Sequence, residues 1–189
     1  MKNRNLILLL LFSAFFGFAV KAQNLQEGMK ALDYENFASA KSIFKKLISQ
    51  QPSEAKNYYY LGQAYSALGQ KDSARIVYNA GVSSDSKSIY NYIGLGETYL
   101  DANNPQKANE YFNKAKDLTS SKDINQYLLL ANAYTMNSHP DCQQAINLLN
   151  KATEYNNKNA DVYYQLGQAH ECLNRGGEAV SAYERAGEL

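Results

Sequence analysis

Residues 58–81 read YYYLGQAYSALGQKDSARIVYNAG, and residues 92–115 read YIGLGETYLDANNPQKANEYFNKA. At a step of 34 residues Tyr58 meets Tyr92, Leu61 meets Leu95, Gly62 meets Gly96 and Tyr65 meets Tyr99. Farther on, Ala74 meets Ala108, Tyr78 meets Phe112 and Gly81 meets Ala115. The pattern returns as Tyr127, Leu130, Ala131, Tyr134, Ala145, Leu149 and Ala152. It returns again as Tyr163, Leu166, Gly167, His170, Ala179, Tyr183 and Ala186. A weaker first copy keeps Gly28, Ala31, Ala40, Phe44, Leu47 and Pro52, with Asn24 and Glu27 in the aromatic and leucine places.

Within each copy the matched residues recur three and four apart, which places them on one face of a helix. Small residues in the glycine and alanine places let two antiparallel helices approach closely while aromatic rings fill the space between them. Turn signals separate the two helices at Leu68–Asp72, Asp101–Pro105 and Asn174–Gly177. One such pair cannot bury its apolar face alone, so successive pairs stack on a shared core.

The pattern resembles the tetratricopeptide repeat, whose signature is an aromatic, Leu-Gly, Tyr, then Ala, Phe and a closing Pro. The resemblance implies an all-α solenoid of helical hairpins, wound as a right-handed superhelix. It covers residues 23–189 as five copies, near 23–54, 55–88, 89–122, 123–159 and 160–189, the last one uncapped. Tyr stands where the family has Trp in four copies, and only the first copy keeps the closing Pro. Two insertions fall between helices, one at Ser120-Ser121-Lys122 and one at Asn137 to Asp141, where they cost little.

In this family the first helix of each pair lines the concave surface. The resemblance therefore assigns a partner-binding groove to Tyr59, Gln63, Tyr90, Ile93, Glu97, Leu100, Asn132, Tyr164 and Gln168. Ser66, Asn125, Leu128, Thr135, Asp161 and Glu171 occupy matching places. This mixture of tyrosine, amide and aliphatic side chains suits an extended peptide or a partner helix. Lys56 is the only cation on those lines, so the two-carboxylate clamp of the family's chaperone-binding members is not expected.

Residues 1–22 read as a secretory signal. Lys2 and Arg4 precede an apolar run from Leu6 to Val20, and Val20 and Ala22 are the small residues before a cleavage point at Gln23. The run is shorter than the roughly 20 residues that span a bilayer, although an uncleaved anchor is the competing reading. No second hydrophobic segment follows, so the chain is expected to be exported, periplasmic or secreted, with no membrane span after cleavage.

Composition supports a folded chain: 45% hydrophobic and 20% charged residues, with 16 Tyr, 7 Phe and no Trp. After residue 22, 16 basic side chains stand against 18 acidic ones, and no basic stripe offers itself to phosphates. Nucleic acid is therefore not the expected partner.

No phosphate loop, His-Glu metal motif or nucleophile elbow is present, so neither an enzyme nor a cofactor is expected. His139, Cys142, His170 and Cys172 crowd the last two copies. A metal site is one reading, but His170 and Cys172 lie about 200° apart around a helix. A second is a disulfide between Cys142, which starts one helix, and Cys172, which ends the next, in an oxidising compartment. Two separate thiols are the third.

The expected function is a protein-interaction scaffold in the bacterial cell envelope. Alternatives are a docking domain of a longer envelope protein and an assembly factor that touches peptidoglycan. Val180, Tyr183, Ala186 and Leu189 leave an apolar stripe that further chain, a partner, or a second copy docking end to end would cover.

Overall fold

A computed structural model describes residues 24–120, 123–136 and 139–189. The signal segment, Ser121-Lys122 and Asn137-Ser138 lie outside the described residues. Among those residues the chain forms ten α-helices and no strand. It divides into two compact units, with the boundary in sequence between Asp85 and Ser86.

The first unit holds α1 (24–33), α2 (Phe37–Gln50), α3 (Ala55–Ala67) and α4 (Lys71–Ser84). Ala40, Phe44 and Leu47 fall on one face of α2 and are buried against Leu61 and Ala64 of α3. The Phe44 ring stacks on Tyr60 at 5.3 Å. Asn36 starts α2 by accepting the N–H of Ser39, the usual way to satisfy a free donor at a helix start.

The second unit holds α5 (Ile89–Asp101), α6 (Pro105–Leu118), α7 (Ile124–Thr135), α8 (Cys142–Tyr155), α9 (Ala160–Cys172) and α10 (Gly176–Gly187). Its core runs through all six helices, from Ile93 and Phe112 through Leu130 and Leu149 to Leu166, with Ala182 of α10 packed against it. Pro105 opens α6 at a position where a missing N–H costs nothing, behind Asn104 as cap.

Within four of the five pairs the chain turns by the same device. Glu35, Gly69, Asn103 and Asn174 all have positive φ, between 55° and 72°. The next N–H then reaches back five residues: Asn36 to Ala31, Gln70 to Tyr65, Asn104 to Tyr99 and Arg175 to His170, all 2.8–2.9 Å. This closes orphan carbonyls at each helix end. Between pairs a second device repeats. The hydroxyl of Tyr58 donates to the carbonyl of Pro52, that of Tyr92 to Ser86, and that of Tyr163 to Asn157, each six residues back.

No described helix is long and apolar enough to cross a membrane.

Candidate partner-binding face

The inner row of the second unit is set by which helices touch. α5 packs directly on α7 and α7 on α9. Among the described residues the second helices α6, α8 and α10 touch first helices and not each other. The three first helices therefore form the tighter row, and the side chains they turn to solvent share one continuous surface.

That surface grades from apolar to polar along the row. Ile93 and Leu100 on α5 are buried members of the unit's core. The repeat pattern assigns them to the contact surface, but their aliphatic side chains gain more from packing inward and lie beneath it. Tyr90 and Glu97 beside them are half-buried. On α7, Leu128 and Thr135 are half-buried while Asn125 and Asn132 are exposed. On α9, Gln168 is half-buried, Asp161 and Glu171 are exposed, and Tyr164 keeps 53% of its surface open. In the first unit Tyr59 is buried, its ring 5.4 Å from Tyr60 and 6.1 Å from Tyr78, with Gln63 and Ser66 half-buried on the same helix.

Such a face can recognise a main chain. Asn132 and Gln168 each carry a donor and an acceptor, which match the unpaired N–H and C=O of an extended peptide. Leu128 and Tyr164 supply apolar area between them.

Cys142 and Cys172 are joined as a disulfide, with Cα atoms 6.3 Å apart. The bond ties the start of α8 to the end of α9. It uses both thiols, so neither sulfur remains to hold an ion with His139 or His170. Arg175 adds a second tie, its guanidinium donating to the side-chain carbonyl of Gln143 at 3.2 Å. Nearby, Tyr134 is buried in the core, and its hydroxyl is pushed up to about 12, first by burial and then by Asp141 and Asp117.

At the far end of the row the Tyr183 hydroxyl donates to the Glu171 carboxylate at 2.8 Å, and the Tyr183 ring lies 5.6 Å from that of Tyr164. The sequence reading missed this pair because the two residues sit in different helices with no fixed spacing rule between them. It also missed the tyrosine hydroxyl clasps. The signal for those was present: Tyr in the Trp place puts a hydroxyl donor at the tip of the ring, where an indole carries only C–H.

The architecture is that of a helical-hairpin solenoid protein. Family models place the rest: a tetratricopeptide repeat model matches residues 31–92, a second matches 89–122 and 160–189, and a TPR repeat model matches 141–174. The chain is thus built of tetratricopeptide repeats. Solved structures agree on the fold. TTC0263, a thermophilic TPR protein in Thermus thermophilus, has a TM-score of 0.67 at 16% identity, over 89% of this chain and 90% of that one. MamA gives 0.51 at 22% identity over 89% and 90%. YrrB, described as a TPR protein with an unusual peptide-binding site, gives 0.50 at 16% identity over 87% and 84%. At these identities the likeness is one of fold. No curated protein sequence matches the chain.

Proposed function

We propose that this chain is a non-catalytic interaction scaffold of the bacterial cell envelope, which holds an extended peptide or a partner helix along the α5, α7 and α9 row. The observation that carries the reading is the row itself: amide side chains at Asn132 and Gln168 alternate with the apolar surfaces of Leu128 and Tyr164 on closely packed helices. A groove of that composition pairs backbone groups through its amides and buries side chains between them. The similarity to YrrB, a TPR protein with an unusual peptide-binding site, supports the same class of ligand. Location in the envelope rests on the charged start at Lys2 and Arg4, the apolar run and the small residues before Gln23. The Cys142–Cys172 bond fits an oxidising compartment.

The test is crosslinking and affinity capture from native envelope with the full chain and with an Asn132→Arg/Gln168→Arg variant. A discrete partner that the variant loses, while keeping its helical circular dichroism, agrees with the reading. Equal capture by both proteins removes the groove from it. Intact mass of the protein recovered from the envelope decides export: a chain that starts at Gln23 agrees, and one that still starts at Met1 makes the segment an anchor.

A further inference from the structure

The outer side of the last helix pair differs from the same side of the pairs before it. On the α5–α6 pair, the Phe112 ring is fully buried and meets Tyr134 of the next first helix at 5.2 Å. On the α7–α8 pair, Leu149 is fully buried. The equivalent residue of the α9–α10 pair, Tyr183, is only half-buried, and Val180 one turn away is 56% exposed. Among the described residues no helix covers this side. It forms an open depression of about 690 Å³.

The lining is specific in its charge. Tyr164, Tyr183 and Ala186 make an apolar centre, and Asp161 and Glu171 stand at its two ends; the lining holds no cation. The two carboxylates are ten residues apart on α9, about 15 Å along the helix axis. Both are exposed, and Glu171 is held in place by the Tyr183 hydroxyl.

We propose that the α9 end of the row, with α10 beside it, binds a cationic amphipathic helix from another polypeptide; the inference deepens the scaffold reading and rests on it, since Asp161, Tyr164 and Glu171 belong to both. The apolar stripe of that helix seats on Tyr164, Tyr183 and Val180 as α7 seats on Phe112. Lysine or arginine residues about three turns apart meet Asp161 and Glu171. The carboxylate spacing fixes the choice of occupant: a neutral or acidic helix with the same stripe would leave both carboxylates without a counter-charge or facing like charge.

The inference is tested by fluorescence anisotropy with two synthetic peptides and the full chain. Both peptides keep the stripe of α7 (Tyr127, Leu130, Ala131 and Tyr134 in their native spacing); one carries two lysines about eleven residues apart, the other two glutamates. The lysine peptide is expected to bind at least about tenfold more tightly, with the preference lost in Asp161→Lys/Glu171→Lys. Tyr164→Ala, an exposed position, is expected to weaken it at least about fivefold, with circular dichroism confirming that each variant folds. Val180→Lys, an exposed position on α10 and off the row, is expected to weaken this binding while leaving the capture from native envelope unchanged, which separates the two readings. Asn147→Arg, exposed on α8, leaves both unchanged. Equal affinity for both peptides, undiminished binding by Val180→Lys, or a continuation of the native chain seated on Tyr183 would each overturn the proposal.

Discussion

The ring of Tyr78 occupies the space that a Cβ at position 62 would need. Phe112 does the same to Gly96, Tyr183 to Gly167 and the tip of Phe44 to Gly28, always sixteen residues on. In the fourth pair both partners change together: Ala131 stands in the glycine place and Leu149 in the aromatic place. A smaller partner leaves room for a methyl group, so the two positions act as one packing unit.

Gly96→Ala is therefore expected to destabilise. The added methyl meets a ring that is fully buried, and overpacking of that kind costs about 1–3 kcal/mol, partly offset by the better helix propensity of alanine. Adding Phe112→Leu is expected to recover part of the loss, as the Ala131 and Leu149 pair suggests. Denaturant midpoints of the two single variants and the double variant measure the coupling. Strict additivity would show that the positions do not share space.

The clasp from each first-helix tyrosine to the loop before it predicts a cost for removing the hydroxyl alone. Tyr92→Phe and Tyr163→Phe should each lose about 1 kcal/mol, the usual net worth of one hydrogen bond. Hydrogen exchange in the first turns of α5 and α9 should quicken in the matching variant and nowhere else. Unchanged thermal midpoints in both variants would make the clasp incidental.

Burial of the Tyr134 hydroxyl predicts a pH dependence of stability at the alkaline end. Its hydroxyl is held up to about 12, whereas an unfolded tyrosine titrates near 10. Above pH of about 10 the unfolded chain gives up this proton and the folded chain does not. The contribution of Tyr134 is thus complete below about pH 10 and is lost as pH rises through 12. Denaturant midpoints against pH should show the native chain losing stability relative to Tyr134→Phe as pH rises across that window. Parallel curves would contradict the burial of this hydroxyl.

The disulfide spans 30 residues of sequence. Closing a loop of that size stabilises by about 3–4 kcal/mol on the chain-entropy model. Cys142→Ala/Cys172→Ala is expected to lower the unfolding midpoint and to quicken exchange in α9 and α10 more than in α5. A non-reducing peptide map of exported protein should recover the 142–172 linkage. Two free thiols there, or a midpoint indifferent to reductant, would remove the clip.

Much of the fold could be read from residues three and four apart. Gly62, Tyr65, Ala74 and Tyr78 announce two helices and their contact, and Gly69, Asn103 and Asn174 announce the turns, because those residues tolerate positive φ. Glu35 occupies the same turn with φ 57° and carries no such signal; only its register with Gly69 reveals it. The face was harder to read. Ile93 and Tyr164 hold the same place in their repeats, yet one is buried and the other open. Exposure at that place depends on what lies beyond the helix, and a repeat pattern describes each helix alone. The bond from Tyr183 to Glu171 was hidden for the same reason.

The scaffold reading is tested most directly by photocrosslinking in the native cell, with a photoreactive residue at Asn132 or Tyr164 on the inner row, or at Asn147 or Asn150 on exposed positions of α8. The account predicts a discrete adduct from the inner-row positions and none from α8. Adducts from α8 alone, or the absence of any adduct at Asn132 and Tyr164, would contradict it.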